Sequence, residues 1–157
     1  MKAVCCKCGS SLKYPVTIGN KVYGTSCASK FLGINDIPTN FSGDYDLYKS
    51  EKEISDQKQV EEFNTKKEFT SKNWSMLQKM SKALSKARSN DWETNFICSV
   101  SDQMFGGTVN FTGTQKFETM EDAEKGWGDH RGSFPYIDRI FPISDKQLSI
   151  IDRIINK

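Results

Sequence analysis

Apolar positions recur with a helical period through the second half of the chain. From Ser71 onward Trp74, Leu77, Met80, Leu84 and Ala87 form one stripe, the three-and-four spacing by which a helix buries one face. Asn90 then stands as a helix cap with Glu93 three residues on. Trp92, Phe96, Val100 and Met104 follow at every fourth residue, with Ile97 alongside, until Gly106-Gly107. An Asn side chain accepts from the free N–H groups of a helix start, and glycine takes the left-handed turn that ends one. The pair predicts a helical hairpin. Near the C-terminus Ser144 and Gln147 make a capping box, Ile143 and Leu148 have staple spacing, and Leu148, Ile151 and Ile155 line one face. This predicts a last helix that closes the core.

The first part of the chain has a different rhythm. Val16-Thr17-Ile18 and Lys21-Val22-Tyr23 flank the two turn residues Gly19-Asn20, the strongest short-range hairpin pattern. Ser26 can cap a short helix through Phe31-Leu32 that Gly33 ends. Residues 35–50, with Pro38 and Gly43, read as a linker. Ser50 and Glu53 then suggest a capping box for a charged helix over 51–64, whose sparse Ile54, Val60 and Phe63 make it a solvated spacer. Residues 106–142 lose the helical period: Val109 and Phe111 alternate with polar residues, and a Gly-rich run spans 126–132. They predict an excursion, partly β, with a short helix over 120–125. The fold class is α+β, in three parts: a cysteine-rich module over 1–35, linker and spacer over 36–68, and a mainly helical domain over 69–157.

At 157 residues, 36% of them apolar, with ten Phe, five Tyr and three Trp, the chain is aromatic enough to fold and long enough for one main core. It has no stretch of the roughly 18 to 20 apolar residues that cross a bilayer, and the N-terminal residues lack the apolar core of a secretion signal. A cytoplasmic protein without a membrane partner is expected. The net charge of +2 hides an asymmetry. Residues 1–35 carry Lys2, Lys7, Lys13, Lys21 and Lys30 and no acid, so that segment is +5 and the remainder −3. A short all-positive segment suits a phosphate backbone or an acidic surface.

Of the five cysteines, Cys5, Cys6, Cys8 and Cys27 fall in the first 27 residues and Cys98 stands apart. In a reducing compartment such a cluster favours thiolate ligation over bridges. Cys5-x2-Cys8-Gly9 is the spacing at which two thiolates reach one Zn²⁺ while the backbone turns tightly, and Cys27 supplies a third sulfur. The position three after Cys27 is Lys30, which is no ligand, so the fourth ligand is unassigned, with His130 the remaining candidate. The competing reading is a metal-free finger with reduced core cysteines. A catalytic zinc would need a general base near the cluster, and none is evident.

On a helix over 71–88, Lys72, Lys79, Lys82 and Lys86 fall within roughly an 80° arc, a ridge that can track phosphates or simply be solvated. Tyr14, Tyr23 and Phe31 can stack on exposed bases or form a miniature core; Phe31 is assigned to the core and the tyrosines fit either role. His130, Asp129 and Ser133 are too close in sequence to form a triad, and no nucleophile elbow, Walker loop or dinucleotide fingerprint is present. No catalytic residue is assigned, and a binding protein is favoured over an enzyme. Two binding classes follow. The first is nucleic acid, held by Lys7, Lys13, Lys21 and Lys30 with the helical lysines. The alternative is a protein partner, as for an inhibitor or adaptor of a host enzyme, anchored on Trp127, Phe134 and Tyr136.

In Cys5-x2-Cys8-Gly9-x2-Leu12 followed by Val22-Tyr23-Gly24-x2-Cys27-Ala28-x-Lys30-x-Leu32-Gly33, the chain resembles a loosely defined group of small treble-clef-like zinc fingers in bacteriophage and mobile-element proteins. Trp92-Glu93-x2-Phe96-x2-Ser99 with Ser144-x-Lys146-Gln147-Leu148-x2-Ile151-x2-Ile154 looks like a helical module that accompanies such fingers. The resemblance implies a phage-type accessory protein in the host cytoplasm, with a structural zinc, a finger of the nucleic-acid-associated kind and no catalytic residue.

Overall fold

A computed structural model describes residues 2–129 and 132–157, with Asp129 described in its backbone alone. The chain is α+β and divides into two compact units, Met1–Val60 and Glu61–Lys157.

The first unit begins with a clipped turn. Val4 bridges Ser11, the Gly9 N–H donates to the Cys5 carbonyl at 2.9 Å, and Gly9 takes φ 74°, a left-handed conformation open to glycine at little cost. Strand β1 (Val16–Ile18) and strand β2 (Lys21–Tyr23) pair antiparallel with Ile18 opposite Lys21, the hairpin that Gly19-Asn20 predicts. Helix α1 (Thr25–Leu32) follows and ends at Gly33 with φ 69°. Residues 35–44 are not the linker expected from Pro38 and Gly43. Strand β3 (Gly43–Asp44) pairs in parallel with β1, giving the order β2-β1-β3. Tyr45 is buried, and its hydroxyl donates to Asp36 at 2.6 Å. Cys5, Val16, Tyr23 and Ala28 complete this small buried set.

Helix α2 (Tyr45–Lys72) starts six residues earlier than Ser50 and Glu53 suggest. Asp44 Oδ1 accepts from the backbone N–H groups of Asp46 and Leu47 at 2.9 and 3.1 Å, and that cap fixes the start. Ser50 lies inside the helix and donates to the Leu47 carbonyl at 2.8 Å. Residues 51–60 are exposed throughout, as a solvated spacer should be.

In the second unit α3 (Trp74–Ala87) and α4 (Asp91–Phe105) form the expected helical hairpin. Trp74, Leu77, Met80, Ala83 and Ala87 are buried along α3, where each large apolar side chain contributes about 1.5–3 kcal/mol. On α4 the buried face is Ile97, Val100, Ser101 and Met104, while Trp92 stays 57% exposed. The strict four-residue spacing lags the 3.6-residue turn, so a stripe starting at Trp92 rotates out of the core. Asn90 caps α4, and Gly106 ends it at φ 69°.

Among the described residues 106–142 contain no strand, contrary to the alternation at Val109 and Phe111. They form a 3-10 turn (Thr114–Lys116), helix α5 (Met120–Gly126), a second 3-10 turn (Trp127–Asp129) and an extended tail. Side-chain to backbone hydrogen bonds exchanged with α2 and α3 anchor this segment in place of a neighbouring strand. Thr114 Oγ1 donates to the Leu77 carbonyl at 3.0 Å, Ser81 Oγ accepts from Gly113, and Thr70 Oγ1 accepts from the Ile137 N–H at 2.9 Å. Helix α6 (Asp145–Ile155) carries the full Ser144/Gln147 capping box and buries Ile151 and Ile154. Among the described residues no helix is long and apolar enough to cross a membrane.

Candidate metal centre

The clipped turn, β2 and α1 converge on three sulfurs. The Cys6 N–H donates to the Val22 carbonyl at 2.9 Å, which ties the Cys5–Cys8 turn to β2, and Cys27 sits in the first turn of α1. The sulfurs of Cys5, Cys8 and Cys27 lie within 4.8 Å of one another, with Cys8 and Cys27 3.5 Å apart. Four sulfurs at about 2.3 Å around zinc have edges of about 3.8 Å, whereas a disulfide needs about 2.05 Å. The spacing is too long for a bridge and leaves room for a shared metal ion. Cys5 is buried, Cys27 partly so and Cys8 exposed, so the cluster opens to solvent on one side.

The electrostatics of the cluster suit a cation. The Cys5 thiol is lowered to about 6, first by the backbone N–H of Cys8 and then by those of Gly24 and Lys7. Such donors stabilise the thiolate. Cys27 is pushed up to about 11, chiefly because its thiol bonds to the Cys8 and Cys5 sulfurs, with burial adding to this. Three adjacent thiolates repel, and a divalent ion at their centre lets all three lose their protons. Gly24 has a packing reason as well: a Cβ there would lie 2.9 Å from Leu12 Cδ2.

Cys5, Cys8 and Cys27 are therefore brought together as the sequence predicts, and Cys6 and Cys98 are not. Cys6 lies near Tyr23, whose hydroxyl it holds above the ordinary tyrosine value. His130, the remaining candidate for the fourth position, lies outside the described residues.

Around the cluster Lys7, Lys13, Lys21 and Lys30 are exposed. Among the described residues no carboxylate pairs with any of them. The aromatic assignments change. Tyr23 is buried, Tyr14 is half-buried with the Lys13 ammonium 5.1 Å from its ring centre, and Phe31, expected in the core, is 49% exposed. Helix α1 is only two turns long and already directs Ala28 and Cys27 inward, which leaves Phe31 outside. The signal in the sequence was its lysine neighbours: the ammonium groups of Lys7 and Lys30 lie 4.7 and 5.6 Å from the Phe31 ring centre.

The helical lysines do not form one ridge. Lys72 ends α2, and the break at Asn73, whose side chain donates to the Phe69 carbonyl at 2.8 Å, separates it from α3. Lys72 pairs with Glu68 and Lys79 with Asp152 at 3.7 and 2.8 Å, while Lys82 and Lys86 are exposed on α3. The loop offered to a protein partner is taken up by its own unit. Trp127 is 7% exposed and packs edge-on against Phe134 at 5.1 Å. Phe134 stacks on Trp74, and the Tyr136 hydroxyl donates to Glu124 at 2.6 Å. Compared with protein-family models, curated proteins and solved structures, the chain matches none.

Proposed function

We propose that the first unit is a treble-clef-like finger ordered by zinc on Cys5, Cys8 and Cys27, and that the protein is a non-enzymatic accessory factor that binds nucleic acid through it. The observation that carries this reading is an acid-free stretch of five lysines with no carboxylate partner among the described residues, mounted on a metal-ready scaffold. In the second unit Lys66, Lys67, Lys72, Lys79 and Lys157 meet carboxylates, and the acids there are interspersed with the lysines, whereas residues 1–35 hold no acid at all. Unpaired ammonium groups gain most when they neutralise phosphates and release counterions. Zinc here is structural, because it fixes the turn and α1 and so the spacing of the lysines. The phage-type character and host-cytoplasmic setting belong to the same proposal and rest on the resemblance of the cysteine pattern.

The test is fluorescence anisotropy of labelled oligonucleotides with zinc-loaded protein across a salt series. If Lys7, Lys13, Lys21 and Lys30 all engage phosphates, log affinity falls against log salt with a slope of about −3 to −4. Neutralising them to Gln flattens that slope. Absence of binding at low salt overturns the reading and directs attention to a protein partner.

A further inference from the structure

Lys7, Lys21, Tyr23, Phe31, Leu32 and Cys6 line an open recess of about 380 Å³ on the first unit. Its composition is unusual for a surface hollow: one face is the exposed Phe31 ring, two ammonium groups lie over that ring, and a third lysine stands on the rim. Resting on the nucleic-acid reading above, we infer that this recess holds one unpaired base of a single strand, stacked on Phe31, with Lys7, Lys21 and Lys30 on its flanking phosphates.

Lys7 and Lys30 cover the Phe31 ring as exposed cation–π contacts, which are weaker than stacking of a base on an aromatic ring. When a strand arrives, the base replaces the ammonium over the ring and the ammonium moves to a phosphate. Each partner trades a weak contact for a stronger one. Leu32, 44% exposed beside Phe31, extends the apolar floor. Apart from its lysines the lining offers only the Cys6 thiol and the buried Tyr23 as polar groups, so the recess has few fixed groups to read base edges. It therefore accepts any base, as sequence-tolerant single-strand binders do. A duplex keeps its bases stacked inside and presents phosphates only, so it engages the lysines and leaves Phe31 idle.

The experiment titrates zinc-loaded full-length protein against a labelled oligo-dT and a labelled duplex of matching length, for the wild type and for Phe31→Ala, Phe31→Trp and Lys7→Gln/Lys30→Gln. Zinc content measured on each variant shows that the finger is intact. The expected result is a preference for the single strand that Phe31→Ala lowers by roughly 5- to 150-fold and Phe31→Trp retains. The double lysine variant should weaken both probes. If Phe31→Ala leaves oligo-dT affinity unchanged, or weakens both probes equally, the base-stacking inference is wrong while the nucleic-acid reading stands. If neither probe binds the zinc-loaded wild type at low salt, the nucleic-acid reading itself fails, and this inference with it.

Discussion

At the scale of single residues, the cysteines separate by role through geometry alone. Cys5, Cys8 and Cys27 share a sulfur cluster, while Cys6, adjacent to Cys5 and two residues before Cys8, is outside it and near Tyr23. Cys8→Ser should therefore abolish stoichiometric zinc binding and the thiolate-to-metal absorption of the cobalt-substituted protein. Cys6→Ser and Cys98→Ser should retain both; loss of metal in Cys6→Ser would show that the ligand set is misassigned. A second residue-scale prediction concerns Thr70, which is fully buried and serves the extended tail twice, accepting from the Ile137 N–H at 2.9 Å and facing its carbonyl at 3.2 Å. Thr70→Val keeps the shape but strands a buried N–H, a loss of about 1–3 kcal/mol. Denaturant unfolding should register it, and Thr70→Ser should recover most of it.

Elements defined by their own local residues were legible in the sequence, and elements defined by distant partners were not. The capping box at Ser144, the left-handed stops at Gly33 and Gly106, and the Gly19-Asn20 hairpin each depend on neighbours within a few residues, so their spacing suffices. The pairing of β3 with β1 spans a chain segment that carries no pattern of its own, and the tail after Gly132 is held by Thr70 and the aromatic rings of other elements. The same dependence makes the tail sensitive to pH. Glu124 accepts from Lys67 at 2.7 Å and from the Tyr136 hydroxyl. Burial raises the carboxyl, but Lys67 and Tyr136 outweigh it and hold Glu124 below its ordinary 4.5. A lowered carboxyl stabilises the fold above its unfolded value and loses that contribution as pH falls through the folded one. Tyr136 is raised to about 12 by burial and then by Glu124, so its contribution is whole below 10 and fades as pH climbs toward 12. Stability of the second unit measured against pH should fall at both ends, and Glu124→Gln should flatten the acidic limb. An unchanged acidic limb in that variant would remove Glu124 from the account.

At the scale of the whole molecule, the two units have unequal means of staying folded. The second buries a continuous cluster running from Trp74 through Met80, Ile97, Met104 and Met120 to Ile151 and Ile154. The first closes around Cys5, Tyr23 and Ala28 with a few half-buried neighbours. A core of that size offsets little of the entropy of ordering its chain, and a metal or a bridge is the common supplement in domains so small. Its cysteines are free of bridges, so a metal on the proposed three-sulfur site is the available device. Chelation should accordingly unfold the chain in two stages. With a strong zinc chelator at neutral pH, amide exchange should become fast across residues 2–44 while α3, α4 and α6 keep their protection, and most of the helical circular dichroism should remain. Zinc restored in excess should return the slow amides of β1 and β2. On the proposed nucleic-acid reading, oligonucleotide affinity should follow the same course, falling with the chelator and returning with zinc, because the lysines keep their charge throughout and lose only their fixed spacing. If protection of residues 2–44 survives chelation, the small apolar cluster is sufficient by itself, and the proposed metal is not what orders this unit.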